Sequence, residues 1–288
     1  MTSMPTNRRH CPGAIRALAL FALIWAPLAQ AATDALATAA LSYEEGHLIR
    51  ALGDRLAVSE DQGHGWRDLP LPATAKGGPL TAAVLSPVSP STLYITGPEI
   101  GVQRSDDWGQ HWRSIQGDLP STDVIAFTPH RTQPDTLYAV LADIGIHRSE
   151  DGGKTWRLMD SGPTQGIQWL IHSDMPGSMQ TGWLVAGSAT AVRLSMDCFC
   201  GWRLGGDFES GPVHSVIDLP GHPEHWIAAT DTGLFHSDNG GQQWQALTET
   251  NTPLVALTAV DENTLLALTA QGRLLTSEDQ GRTWNPDE

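Results

Sequence analysis

The sequence has 288 residues, of which 40% are apolar and 17% are charged, and its formal net charge is −15 at pH 7. This composition is typical of a globular protein with a sizeable core. A strongly acidic chain is repelled by phosphate backbones and anionic lipid, which argues against binding to nucleic acid or to membrane surfaces.

Residues 1–31 have the features of a secretory signal peptide. Arg8 and Arg9 precede an apolar run at 17–25, and the small-residue pattern Ala-Gln-Ala follows at 29–31. We therefore expect an exported protein, periplasmic or secreted, whose mature chain is 32–288. The remaining 14 basic and 32 acidic residues give that chain a net charge of −18. No other stretch is long and apolar enough to span a bilayer, so no membrane-embedded segment is expected after cleavage.

One eight-residue phrase, which we call the box, occurs six times. It has a serine, an acidic or amide residue two positions later, a glycine two after that and a tryptophan three further on; Phe199 replaces the glycine in the fourth copy. The acidic or amide residues are Asp61, Asp107, Asp151, Asp197, Asn239 and Asp279. The tryptophans are Trp66, Trp112, Trp156, Trp202, Trp244 and Trp284. Asp and Gly favour a tight turn, and Trp supplies a large apolar face, so we expect all six tryptophans to be buried.

The box resembles the Asp-box, and the chain resembles the Asp-box (BNR-repeat) β-propellers. These include sialidases, the sortilin propeller, xyloglucan-cleaving hydrolases and the Ycf48-type photosystem assembly factors. Box serines follow one another at intervals of 40 to 46 residues, the length of a blade of four short strands, A to D. We predict an all-β fold, a single six-bladed β-propeller with one Asp-box per blade. Its blades are expected at about 36–75, 78–118, 121–162, 165–208, 212–250 and 252–288.

Two columns of residues, aligned on the box serine, are expected to form the core between blades. The column three positions before the serine is Leu56, Val102, Ile146, Val192, Leu234 and Leu274. The column eleven positions before it is Leu48, Tyr94, Tyr138, Leu184, Trp226 and Leu266. Blade 2 illustrates the plan, with strands predicted at 81–86, 92–96, 101–105 and 112–116.

In such a propeller the A–B and C–D turns lie on one face, which we call the box face, and the B–C and D–A turns lie on the opposite face. Glu99, Asp143 and Asp231 occupy one column of the B–C turns. Two of these carboxylates, suitably spaced, would serve as the acid and base of a glycoside hydrolase. Asp and Glu are also ordinary turn residues, so the column has a purely structural interpretation as well.

Arginines break the repeat in blades 1 and 6. Arg50 replaces a small or apolar strand residue, and Arg55 and Arg273 stand at the start of the third strands of two blades that meet when the ring closes. They predict either an anion site or pairing of Arg50 with a loop carboxylate such as Glu44 or Asp54. Two further residues are candidates for binding: Asp123 and His214.

The resemblance to sialidases does not extend to their chemistry. Half of the mature arginines flank the boxes and are expected to be structural, and the mature chain has no Arg-Ile-Pro-type segment to begin an arginine triad. Tyr43 is the one tyrosine outside the repeat columns, and therefore the one candidate nucleophile. The sequence argues against sialidase activity.

Blade 4 is rich in methionine and cysteine. Met175 and Met179 fall in its A–B turn, and Met196, Cys198 and Cys200 fall in its box turn, so the topology places five sulfur atoms on one part of the box face. Thiolate and thioether ligands select Cu(I). The cysteines could instead form a reducible disulfide, or an inert one with the methionines as filler. No other cofactor is expected.

These observations predict an exported, monomeric scaffold that binds a protein or glycan partner, by resemblance to the Ycf48-type factors, and that is not an enzyme. Two alternatives stay open. One is a glycoside hydrolase that uses carboxylates of the opposite face, and the other is a periplasmic copper or thiol protein.

Overall fold

The computed structural model describes residues 38–286, apart from 76, 163–165, 180–181, 189–190, 200, 209–210 and 251. In this part the chain forms 24 β-strands and one 3₁₀ turn at Ala73–Ala75. The strands make six four-stranded antiparallel sheets, each built from four strands that follow one another in sequence. The fold is therefore the predicted six-bladed β-propeller. In the described residues no helix has the length and apolarity needed to cross a bilayer.

The first three blades contain strands β1 to β12. Blade 1 has β1 (Ala39–Glu44), β2 (His47–Leu52), β3 (Arg55–Ser59) and β4 (Arg67–Asp68). Blade 2 has β5 (Ala82–Ser86), β6 (Ser89–Gly97), β7 (Gly101–Ser105) and β8 (Arg113–Ser114). Blade 3 has β9 (Val124–Pro129), β10 (Leu137–Leu141), β11 (Gly145–Ser149) and β12 (Arg157–Asp160).

The last three blades contain strands β13 to β24. Blade 4 has β13 (Trp169–Ser173), β14 (Trp183–Gly187), β15 (Ala191–Met196) and β16 (Arg203–Asp207). Blade 5 has β17 (Val213–Leu219), β18 (His222–Thr230), β19 (Gly233–Ser237) and β20 (Gln245–Glu249). Blade 6 has β21 (Leu254–Ala259), β22 (Leu265–Thr269), β23 (Leu274–Ser277) and β24 (Asn285–Pro286).

The core lies between neighbouring blades. Every member of the two predicted columns is buried, with at most 6% of its surface exposed. In β10, β14 and β22 all five residues are buried, because a blade on each side covers both faces of the strand. In blade 2 the predicted strand at 101–105 coincides with β7, whereas β6 begins three residues earlier than predicted.

Five of the six boxes share one pattern of hydrogen bonds. The serine hydroxyl donates to the Asp or Asn side-chain oxygen at 2.7 to 3.0 Å and accepts the N–H of the box glycine at 2.8 to 2.9 Å. Box N–H groups also bond to carbonyls of the A–B turn in blades 2 to 6, for example Gly152 to Asp135 at 3.0 Å and Gly240 to Glu224 at 2.8 Å. The boxes and A–B turns therefore share the box face, as predicted.

The prediction that all six box tryptophans are buried is wrong for five of them. Trp156 is buried, and Trp66, Trp112, Trp202, Trp244 and Trp284 are half-buried. The reason is their place at the outer end of a blade, where an indole bridges to the preceding blade. Trp112 donates its ring N–H to the carbonyl of Pro70 at 2.7 Å, and Trp156 donates to that of Ile115 at 3.1 Å. One edge of the ring then meets solvent.

Side chains close the ring between blades 1 and 6. No strand is shared, since each of these sheets is made of consecutive strands. The N–H of Tyr43 in β1 donates to the Thr258 hydroxyl in β21 at 3.1 Å. Leu48 packs in one buried cluster with Leu266 and Leu274.

Candidate functional site

A channel of about 540 Å³ runs along the propeller axis. It is lined by residues of the A strands of all six blades, β1, β5, β9, β13, β17 and β21. The volume lies in the range of small-molecule and peptide side-chain sites. The wall exposes polar and apolar surface in similar amounts, because alternate residues of each A strand face the axis and small or aliphatic side chains lie among charged and hydroxyl groups. The channel is bounded by all six blades, which makes it the candidate site of the propeller.

An ion pair between a half-buried arginine and a buried aspartate lies at the end of the channel on the box face. Arg131, which follows β9, donates to a carboxylate oxygen of Asp218 in β17 at 3.3 Å. The Ser173 hydroxyl donates to the other oxygen of Asp218 at 3.1 Å. Burial raises the pKa of Asp218, and the charge of Arg131 opposes this effect. The same carboxylate raises the pKa of Arg131. This pair joins blades 3, 4 and 5.

Glu44 lies at the same end of the channel, and its carboxylate has no ion-pair partner among the described residues. It is the last residue of β1, it is half-buried, and it lines the channel. Among the described residues none donates a hydrogen bond to its carboxylate, and none forms an ion pair with it. Burial raises the pKa of Glu44, and the charge of Arg131 opposes the shift. A half-buried carboxylate without a donor is costly, and a ligand with a cationic or donor group would relieve that cost.

The other end of the channel carries His214. Its ring nitrogen Nε2 lies 2.7 Å from a carboxylate oxygen of Asp231 in the B–C turn of blade 5. His214 is thus the one predicted binding residue that lines the channel. Asp231 itself is exposed and lies outside the lining.

The three predicted catalytic carboxylates do not line the channel. Glu99 and Asp143 are exposed residues with φ of 62° and 58°, a backbone conformation that belongs to tight turns. Asp231 is held by His214. The placement agrees with the structural interpretation of this column, since each carboxylate occupies a B–C turn.

Arg50 and Arg55 make contacts different from those predicted for an anion site or for an ion pair with Glu44 or Asp54. The guanidinium of Arg50 stacks on Trp66, 4.0 Å from the ring centre, and among the described residues it forms no ion pair with Glu44 or Asp54. Burial lowers the pKa of Arg50, and Asp68 opposes the shift. Arg55 forms an exposed ion pair with Asp68 at 3.8 Å.

Two other predicted binding residues stand apart from the channel. Arg273 is exposed on the opposite face. Asp123 is half-buried, and its backbone carbonyl accepts the N–H of Ala142 at 3.1 Å. Neither residue lines the channel.

The predicted sulfur cluster is brought together only in part. Met175 and Met196 line a second cavity of about 370 Å³ between blades 4 and 5, with Trp183 and Arg203. Met179 is 77% exposed and does not line it. Cys198 lies in the turn after β15, and Cys200 lies outside the described residues, so the cysteine pair and the copper site stay predictions.

Three buried side chains that the sequence analysis did not single out as ligands meet near the box of blade 4. His130, His172 and Asp197 offer nitrogen and oxygen atoms that all lie within 4.8 Å of one another, a grouping of the kind that binds metal ions. The rings of His130 and His172 are tilted by 32° to each other, with centres 3.8 Å apart. Burial lowers the pKa of both histidines, that of His172 to about 2, so both rings are neutral.

The hydrogen bonds of the two rings do not suit a metal. Backbone N–H groups of Thr132 and Gln133 donate to Nδ1 of His130 at 3.1 and 3.2 Å, and that of Arg131 donates to Nδ1 of His172 at 3.3 Å. A neutral imidazole that accepts at Nδ1 carries its proton on Nε2. A nitrogen that keeps its proton cannot bind a metal. The two rings therefore present N–H donors next to the Asp197 carboxylate, and the Nε2 of His172 has no hydrogen-bond partner among the described residues.

The sequence gives only weak signals for His172, Asp218 and Arg131. Asp218 and His172 each interrupt an apolar A strand, which is unusual for a position facing a core or a channel. Arg131 follows Pro129 in an A–B turn, where the sequence alone gives no reason to expect a buried partner. These three residues come together only because the ring brings blades 3, 4 and 5 side by side.

Comparison with known proteins extends the description of the fold. No family model matches the sequence, and no curated protein is significantly similar to it. The structure is similar to the GH74 xyloglucanase from Xanthomonas campestris, with 18% identity and a TM-score of 0.58 over 84% of this chain and 45% of that one. The chain thus spans less than half of that enzyme.

Two further similarities cover more of the other protein. YCF48 bound to D1 peptide has 19% identity and a TM-score of 0.59 over 88% of this chain and 82% of that one. A chain of the nidogen/laminin complex has 10% identity and a TM-score of 0.66 over 83% and 91%. At such identities the likeness concerns the fold alone: the chain is a β-propeller of six blades.

Proposed function

We propose that the protein is an exported, monomeric binding scaffold that holds a protein partner at the box face of its propeller. The observation that carries this proposal is the axial channel with polar groups concentrated at its box-face end. A channel enclosed by six covalently linked blades is preorganised, so a partner that enters it does not bear the cost of ordering the site.

The similar structures support a binding role. One of them is described as bound to D1 peptide and another as part of a nidogen/laminin complex, so propellers of this shape hold peptides and proteins. Export is supported by the basic residues, the apolar run and the small-residue pattern of residues 1–31. The acidic surface would then meet partners outside the cytoplasm.

The hydrolase alternative is less well supported than the scaffold. Glycoside hydrolysis needs two carboxylates that face one substrate. Glu99, Asp143 and Asp231 occupy separate turns outside the channel lining, and of the carboxylates that do line it Asp218 is already engaged by Arg131 and Ser173. The copper and thiol alternative stays a prediction because Cys200 lies outside the described residues.

The proposal can be tested by placing a photo-crosslinking amino acid on each face. Val88 lies in the A–B turn of blade 2, next to Pro87 at the channel, and Ile144 lies in a B–C turn on the opposite face. They form a matched pair, since 37% and 38% of their surfaces are exposed. Benzoylphenylalanine would replace one or the other in protein expressed in its native host.

A discrete crosslinked protein is expected from position 88 and not from position 144. The crosslinked species is identified by mass spectrometry after denaturing purification. Equal crosslinking at the two positions, or none at position 88, would contradict a binding site on the box face.

A further inference from the structure

We propose that the box-face end of the channel receives the side-chain ammonium group of a lysine on the partner, with the Glu44 carboxylate as its counter-ion; the inference rests on the proposed function. It specifies the chemistry of the partner, which must present a flexible cation at the centre of the contact.

The charges at this end of the channel favour a cation. Glu44, Glu45 and Asp218 line it, against a single guanidinium from Arg131. Arg131 is neutralised by Asp218 at 3.3 Å, which leaves the two glutamates uncompensated by any ion pair among the described residues. The acidic mature chain adds a long-range attraction for a basic partner.

The wall around Glu44 suits the stem of a lysine. Pro87, Pro129 and Pro220 come from the A–B ends of blades 2, 3 and 5 and line the channel on the same side as Glu44, as does Tyr43. Lysine covers apolar surface with its four methylene groups while its ammonium group reaches a polar partner. Apolar rings beside a carboxylate therefore match the two parts of that side chain.

Lysine also fits better than arginine. Glu44 offers a single carboxylate, and Arg131 already occupies the neighbouring volume with a planar guanidinium. A compact ammonium group takes up less of the remaining space than a second planar guanidinium, and its three rotatable donors can approach the Glu44 carboxylate from several directions.

The test uses the peptide acetyl-Gly-Ser-Lys-Ser-Gly-amide and the same peptide with norleucine in place of lysine. Binding to the mature wild-type protein is measured by calorimetry at low ionic strength, where electrostatic attraction is least screened. We expect the lysine peptide to bind about tenfold more tightly than the norleucine peptide, the effect of one partly desolvated ion pair.

Two glutamine variants locate the contact. Glu44→Gln should weaken binding of the lysine peptide about tenfold. Glu99→Gln, which changes an exposed glutamate on the opposite face, should leave it unchanged. Equal binding of the two peptides to wild type, no binding of the lysine peptide, or unaltered binding to Glu44→Gln overturns the inference.

A pH series on the wild-type protein gives a readout that does not depend on a variant folding correctly. Burial raises the pKa of Glu44, so its carboxylate takes up a proton in mild acid and binding of the lysine peptide should weaken as the pH falls. The other titratable groups that line the channel are Tyr43, Glu45, Arg131, His172, His214 and Asp218. Glu44→Gln should lose most of this dependence, and an identical pH profile in that variant would assign the effect to another group.

The two proposals fail in different ways. If position 88 crosslinks a partner but Glu44→Gln captures the same partner equally well, the scaffold role stands and the lysine contact is wrong. If position 88 crosslinks nothing, the scaffold role is wrong whatever the peptides do.

Discussion

His172 is a buried imidazole that the fold holds in its neutral form. Only 3% of the residue is exposed, and burial, with the neighbouring positive charge of Arg131, lowers its pKa to about 2. In the unfolded chain the same ring has a pKa of about 6.5. Below pH 6.5 His172 is therefore protonated in the unfolded chain and stays neutral in the folded protein. This difference lowers the free energy of unfolding as the pH falls.

We expect His172→Asn to reduce the loss of stability in acid. The free energy of unfolding should fall by about 1.4 kcal/mol less per pH unit in the variant than in wild type below pH 6.5. Asparagine keeps an acceptor for the N–H of Arg131. Urea unfolding from pH 7.5 to 4.5 measures the difference. His222→Asn is the control for the substitution itself, since its side chain is 48% exposed and its partner Glu262 is exposed too. Parallel curves for wild type and His172→Asn would show the prediction to be wrong.

At the scale of one residue, the sequence predicts correctly those contacts that form between neighbours in the chain. Five boxes have the serine, carboxylate or amide, and glycine contacts expected from their spacing, because these contacts lie within one turn. Asp197 differs. It is buried beside His130 of the preceding blade, and the Ser195 hydroxyl bonds to the carbonyl of Met196 instead. No local rule predicts a contact that depends on the position of another blade.

In the box turn of blade 4, Phe199 stands where the other five boxes have glycine. Phe199 has φ of 56° in the left-handed region, and its N–H donates to the carbonyl of Met196 at 2.8 Å. Its ring lies 6.2 Å from that of Tyr138. The strain of a bulky residue in this conformation, of order 1–3 kcal/mol, is offset by that packing. The turn is therefore rebuilt around Phe199, and Asp197 is directed into the protein.

In a regular box the glycine also makes room for the preceding blade. A Cβ added at Gly153 would lie 2.8 Å from both the Cβ atom and the carbonyl oxygen of Ile115 in blade 2, whereas one at Gly221 would meet nothing within 4 Å. Both glycines have positive φ, 89° and 76°. The two positions therefore separate the effect of backbone strain from that of close packing between blades.

Gly153→Ala should destabilise the protein by about 1–3 kcal/mol more than Gly221→Ala, the usual range for overpacking. The free energy of unfolding in urea is the measurement. Equal losses at the two positions would mean that blades 2 and 3 separate easily enough to admit a methyl group.

For whole elements, the two apolar columns predicted correctly which residues form the core. The box tryptophans are less buried than predicted. Column residues lie in middle strands that are covered on both faces, so hydrophobicity alone fixes their position. The box tryptophans lie at blade edges, where the depth of burial depends on how closely the neighbouring blade approaches. That distance is set by the curvature of the ring, which no single repeat encodes.

At the scale of the molecule, hydroxyl groups join the A strands around the axis. Ser42 accepts the N–H of Leu85 at 3.0 Å, Ser215 accepts that of Leu257 at 3.1 Å, and Thr258 accepts that of Tyr43 at 3.1 Å. Adjacent blades splay apart and cannot form a continuous sheet. The hydroxyls therefore satisfy N–H groups that would otherwise be buried without an acceptor.

Thr258→Val tests the bond that joins the first and last blades. Valine keeps the shape of threonine but leaves the Tyr43 N–H without its acceptor, which should cost about 1–3 kcal/mol. Hydrogen exchange of β1 should accelerate more than that of β10, which lies on the far side of the ring. Unchanged exchange in β1 would show that packing alone closes the ring.

Because every blade is made of consecutive strands, the step from β24 to β1 is equivalent to any other passage from a D strand to the next A strand. Such passages range from 4 residues (250–253) to 13 (69–81). The order of blades along the gene is therefore not fixed by the architecture. A circular permutant that joins β24 to β1 with a linker of this length, and opens between Gly77 and Gly78, should fold to the same ring with the same channel. Loss of cooperative unfolding in that permutant would show that the order of the blades along the chain matters for the fold.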